Sequence, residues 1–288
     1  MFLIAAAFAL NACATGGIAE FEAYKAAFDK AQTTSASIFD QLAIQERWLF
    51  LRVNRKALNS VTFDPNLARY YTDSIDPPGT AALRASLDTI KTYNDILYGL
   101  ETGQTAEALA GKISALESSL ISGVKDTSSV ISGLTKAEPH VAAALPAIDA
   151  AFQVLLPFVQ EALKLRSREY FRTFLVKAYP TVMALLHELR ESTRYIFPVL
   201  TAAIRNSDTA VRAGLTAADT DKVNTYRKLL ADWVILIDAT AKALERAKLA
   251  AEAPPTVVST ITGLTAVAIE MDAVAQSAKK HLAELATK

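Results

Sequence analysis

With one cysteine, three histidines and three methionines in 288 residues, the chain has little from which to build metal or redox chemistry. A single thiol cannot close a disulfide within the chain, so burial has to hold the fold together. The histidines, at 140, 187 and 281, would form a three-histidine metal site only if distant segments met. His187-Glu188 has Glu191 where a zincin helix needs its second histidine. His281 and Glu284 share one helix face but lack the second such pair of a di-iron bundle. No Gly-rich phosphate loop, Gly-x-Ser-x-Gly elbow or Cys-x-x-Cys-His haem site occurs. Net charge is missing too, since 30 Lys plus Arg balance 30 Asp plus Glu. No global field then steers the chain to nucleic acid. We therefore expect no enzyme, no cofactor, no resident metal and no nucleic-acid partner.

What is present is apolar surface in a helical rhythm. The composition is 51% hydrophobic, with 10 Gly and 10 Pro, as in a packed helical protein. From Ile18 to about Leu58 there is no Pro or Gly, and Phe21, Tyr24, Phe28, Ala31, Ser35, Ile38, Leu42, Leu49 and Val53 follow the helical period. Asn59 to Gly79 breaks that pattern with Asp64-Pro65-Asn66 and Asp76-Pro77-Pro78-Gly79, which are turn chemistry. Further helices are expected over 80–100, 105–136 and 164–194, the last kinked at Pro180. Ser207-Asp208 should cap a short helix, and Asp219 to Asp221 a long one reaching Pro254. In the final segment Val257, Ile261, Leu264, Ala268, Met271, Ala275, Ala278, Leu282 and Leu285 step by four and three. The fold expected is an all-α, elongated antiparallel bundle of six to eight long, partly kinked helices, forming a single domain over 18–288.

The stretch ahead of that body differs from it. Residues 1–12 are uncharged, and their apolar run from Phe2 to Leu10 has the length of a secretory h-region, too short to span a bilayer. Leu10-Asn11-Ala12-Cys13 resembles a bacterial lipobox, in which a small residue precedes a cysteine that is acylated and becomes the new N-terminus. The resemblance implies a signal peptide over 1–12, lipid attachment at Cys13, a tether over 13–17, and a cell-envelope location, at the outer membrane facing the periplasm. The membrane would then be one partner, through the lipid, and an envelope protein another.

Three further stretches are candidates. Tyr70 and Tyr71, in the long connection, are possible interface anchors or aromatics that cap the bundle end. Arg166, Arg168 and Arg172 belong to a local basic bias over 164–194, which reads as an anion or partner contact or as the wet face of a helix with core stripe Phe171, Leu175, Ala178, Val182, Leu185 and Leu189. Val141 to Val159, with Asp149 as its one formal charge, reads as a kinked buried helix or as the inserting element of a pore-forming or membrane-remodelling bundle. The functional expectation is a lipid-anchored scaffolding or partner-binding bundle; the alternatives are that membrane-active bundle or a bundle binding a small ligand or lipid.

Overall fold

The structure, a computed structural model, describes residues 17–54, 63–104, 108–112, 114, 115, 118, 168–253 and 262–287. The protein is all-α. Five long helices carry the architecture: α1 (Ile18–Val53), α3 (Pro78–Glu101), α4 (Arg168–Leu200), α7 (Ala217–Glu252) and α8 (Thr262–Thr287). Three short ones join them: α2 (Ala68–Tyr71), α5 (Ala202–Arg205) and α6 (Asp208–Ala213). The expected segments 105–136, apart from short helical pieces, and 141–159 lie outside the described residues.

Cross-helix contacts fix the directions. Along α1 and α3, Glu46 meets Thr80, Asp40 meets Arg84, Gln32 meets Asp88 and Lys25 meets Asp95, so the two run antiparallel. Ser35 with Trp233 and Gly17 with Ala251 make α7 antiparallel to α1 as well. α4 runs parallel to α1, because Phe21 meets Phe171 edge-on at 5.2 Å. α8 is also parallel to α1, through Lys30 and Asp272 at 2.7 Å. The bundle thus has two poles. Gly17, the end of α3, the start of α4 and the end of α7 share one; the end of α1, the start of α3 and the turn from α4 to α7 share the other.

α1 packs against α3, α4, α7 and α8, which is why its buried stripe is broad. Besides the expected Phe21, Tyr24, Phe28, Ala31, Ile38 and Leu42, it buries Ala27, Phe39, Ala43 and Phe50. Val53, expected in the stripe, is exposed instead, because α1 ends there and its partners have already turned away. The α4 stripe from Phe171 to Leu189 is at most 2% exposed throughout, as its period predicted. Each buried Leu or Phe of this kind stabilises by about 1.5–3 kcal/mol.

Polar groups inside the core are chained together. Trp233, fully buried, donates Nε1–H to Ser35 Oγ at 2.6 Å, and Ser35 donates on to the Ala31 carbonyl at 2.6 Å. The Tyr93 hydroxyl donates to the Phe174 carbonyl at 3.1 Å, tying α3 to α4. Tyr24 is fully buried facing Asn94, and burial raises the proton affinity of its phenol well above the ordinary range.

One cap differs from expectation. Thr216, not Asp219, is the N-cap of α7: its hydroxyl accepts from Asp219 N–H at 3.1 Å, while the Asp219 carboxylate accepts from Thr216 N–H at 3.2 Å. The extended backbone of Thr216 lets the pair close as a capping box, with Asp219 at its third helical position. Ser207 caps α6 as expected.

Ser35→Ala leaves a buried indole N–H without its acceptor. Chemical denaturation should show a loss of about 1–3 kcal/mol, more than an Ala substitution at an exposed serine.

Candidate functional site

The pole at the end of α1 is where side chains outside the helical period do the structural work. α3 begins at Pro77-Pro78-Gly79, whose N-cap, Pro77, offers no side-chain acceptor to the free N–H groups of the first turn. Glu46 supplies one from α1. Its carboxylate accepts from Gly79 N–H at 2.9 Å, Thr80 N–H at 2.8 Å and the Thr80 hydroxyl at 2.7 Å. An anion at a helix N-terminus is favoured by the exposed N–H groups and the helix dipole. A Cβ at position 79 would lie 2.9 Å from Glu46 Oε1, so a side chain there would make the carboxylate shift. No cation pairs with Glu46 among the described residues. Burial raises its proton affinity above the ordinary carboxylate value of 4.5, and the three donors and the nearby Asp76 carboxylate leave the net shift upward.

Two arginines strap the 63–77 segment onto the bundle beside that cap, and a third braces it from within. Arg47, next to Glu46, donates to the Ile75 carbonyl, and its guanidinium lies 3.8 Å from the Asp73 carboxylate. Arg69 donates to the Asp76 carbonyl at 3.1 Å. Arg84 bridges Asp76 at 2.6 Å and Asp40 at 3.0 Å. Asp64 opens the segment by accepting from Asn66 N–H at 2.9 Å.

The tyrosine pair divides. Tyr70 turns inward, where its ring stacks on Phe50 at 3.7 Å and 6° and is buried. Tyr71 faces out and touches Phe63, ring centroids 5.6 Å apart. Consecutive helical residues point about 100° apart, so adjacent tyrosines on α2 could not both face the same way.

Ten large apolar side chains are exposed among the described residues, and six of them, Val53, Phe63, Tyr71, Ile75, Val211 and Leu215, lie at this pole. Phe63 and Val211 are the most exposed of the ten, at 69% and 68%. Four come from the end of α1 and the strapped segment, two from α6 and the turn after it. Both α2 and α5 pack on α1, which brings the two groups to one end of the molecule. Exposed apolar side chains gathered at one end make this pole a candidate interaction surface.

The remaining candidate residues do not assemble with it. Arg172 lies at the opposite pole and donates to the carbonyls of Ala251, at 2.7 Å from Nε, and Ala253, at 2.9 Å. The last turn of α7 carries no basic residue of its own, so Arg172 caps that helix from α4. Arg168 opens α4 but its side chain is not described, and Arg166, Cys13 and His140 lie outside the described residues. His281 Nδ1 lies 3.0 Å from Asp232, joining α8 to α7, and His187 is exposed. No group of three potential metal ligands occurs among the described residues.

Glu46, Arg47, Gly79 and Arg84 were not singled out by sequence reasoning. The available signal was the Pro-Pro-Gly start of α3, which leaves a helix N-terminus in need of a cap. The chain matches no protein-family model, and no curated protein and no solved structure matches it significantly.

Gly79→Ala should push the Glu46 carboxylate off the α3 N-terminus. We expect a loss of about 1–3 kcal/mol in urea denaturation and earlier proteolytic cleavage between 63 and 77. The Glu46 proton is held more tightly in the folded state, so its contribution to stability is full at low pH and is lost as pH rises through the raised value. Glu46→Gln does not titrate. The wild type should therefore lose stability relative to Glu46→Gln as pH rises from 4.5 towards neutrality, read from paired urea midpoints.

Proposed function

We propose that the protein is a non-catalytic, lipid-anchored bundle of the bacterial cell envelope that holds the membrane at one pole and a partner at the other. The observation that carries this reading is the concentration of six exposed large apolar residues at the pole away from Gly17. α1 spans 36 residues, so at 1.5 Å per residue its ends are about 54 Å apart. Gly17, the last residue of the tether over 13–17 that the lipobox resemblance implies, immediately precedes that span. Four further residues of tether add roughly 14 Å at full extension. A chain acylated at Cys13 and standing on its lipid would carry Phe63, Tyr71 and Ile75 well clear of the bilayer that anchors it.

Gly17 supports the exit of the tether at this pole. Its φ of 89° lies in the left-handed region, and a Cβ would approach Ala251 N at 3.0 Å, so the start of α1 is seated on the end of α7. No helix among the described residues is long and apolar enough to cross a membrane. The pore-forming alternative rests on Val141 to Val159, outside the described residues.

Cys13→Ser should move the protein from the membrane fraction to the soluble fraction and remove the mass of an N-terminal lipid in intact-protein mass spectrometry. Unchanged fractionation and mass would reject the anchor. Combined Phe63→Ser and Val211→Ser should leave fractionation as in wild type but reduce crosslinked adducts formed in intact cells.

A further inference from the structure

The two segments that form the exposed pole differ in charge. Over 63–77 the exposed charges are Asp64 and Asp73, both acidic, while Arg69 is half-buried and donates inward to the Asp76 carbonyl. Asp73 stays fully exposed even with Arg47 3.8 Å away. Over 201–216 the sequence carries Arg205, Asp208 and Arg212, a net charge of +1, and of the described side chains Arg205 and Arg212 are exposed. The nearest exposed acid described beyond them, Asp221, stands past the first turn of α7, and Asp219 is taken up by the capping box with Thr216. Each segment also carries its share of the exposed apolar side chains: Phe63, Tyr71 and Ile75 on the acidic one, Val211 and Leu215 on the basic one.

A face with an acidic apolar half and a basic apolar half complements itself under two-fold rotation. In such an isologous contact the acidic half of one copy meets the basic half of the other, and the same contact is made twice. We propose that this pole docks on the same pole of a second copy of the chain, the 63–77 segment of each protomer against the 201–216 turn of its partner. The apolar side chains supply the buried surface, and the opposed charges fix orientation and suppress other registers. The straps from Arg47 and Arg84, with the Arg69 bond bracing the segment from within, hold the acidic half in place before contact, which lowers the entropy cost of association.

This rests on reading the pole as an interaction surface, but not on the lipid. If Cys13 is acylated as well, the pair is a rod roughly 110 Å long, twice the span of α1, with an attachment point at each end.

Sedimentation velocity on full-length Cys13→Ser protein, over a range of concentrations, tests the pairing. A monomer–dimer equilibrium is expected. In that background Phe63→Ser with Val211→Ser should be monomeric with unchanged helical circular dichroism. Asp73→Arg alone and Arg212→Asp alone should each weaken the dimer by roughly tenfold or more, because each sets like charges against each other twice. Mixing the two single variants should restore it, because in the mixed pair both contacts again oppose unlike charges. A chain that remains monomeric at the highest concentration, a dimer indifferent to Phe63 and Val211, or charge variants that fail to recover on mixing would each overturn the proposal. So would binding of the Cys13→Ser protein to vesicles of equal phosphatidylglycerol and phosphatidylethanolamine with protection of Phe63, which would make a bilayer the occupant. A monomer whose acylated wild type still fractionates with membranes would remove the pairing and leave the anchor standing.

Discussion

A half-buried carboxylate with no cation beside it among the described residues must find its compensation in N–H and O–H groups, and Glu46 finds it at the N-terminus of α3. Much of the exposed pole follows from that contact. The approach is closest with glycine at position 79, where a Cβ would displace the carboxylate from the helix N-terminus. Because Glu46 and Arg47 are consecutive, the cap also delivers a guanidinium to the Ile75 carbonyl, three residues before α3 begins. The 63–77 segment is then held at both its middle and its end, and its apolar side chains have no route back into a core that Phe50 and Tyr70 already close.

The opposite pole is built on the mirror of this logic. There a cation from α4, Arg172, meets the carbonyls ending α7, while Gly17 sits against the same turn. Caps supplied by neighbouring helices do something that apolar stripes do not. A seam rich in Ala and Leu packs nearly as well after sliding by a turn, about 5.4 Å, because the period repeats. A carboxylate fitted to one helix N-terminus, or a guanidinium fitted to one C-terminus, tolerates no such slip. The inner pairs Ser35 with Trp233 and Asp232 with His281 add the same restriction between the poles. Burial holds the helices together, and these polar contacts choose their register.

What the sequence made legible follows the same division. The helices and their buried faces came from period alone, as the unbroken burial from Phe171 to Leu189 illustrates. Ser207 as a cap was readable because its partner is local. Thr216 was passed over because acidic residues nearby gave a stronger local signal than a threonine three positions earlier. Glu46, and the capping role of Arg172, were hidden for another reason: their partners are backbone groups 33 and 79 residues away in the chain, and backbone carries no side-chain signature. Tyr70 and Tyr71 were singled out as a pair, but a single turn of α2 sends one to Phe50 and the other to solvent, a choice that adjacent letters do not reveal. Cys13 lies outside the described residues, so its role still rests on its motif.

Helix faces are partly consumed by packing, α1 burying 14 of its 36 residues and α7 13 of its 36. Apolar side chains shown on such a face would compete with the core for the same period and would invite slippage of the helix that bears them. An end is different: there the backbone leaves the helical period, and turn residues such as Asp64, Pro65 and Gly214 set side-chain directions independently of the core. Recognition placed at the end can change without disturbing the stripes, and the stripes can change without disturbing recognition. The costs are that an unsupported end loop would lose much of any affinity to its own ordering, and that its helix termini need caps from outside. Glu46, Arg47 and Arg84 meet both needs from helices whose positions the core has already fixed.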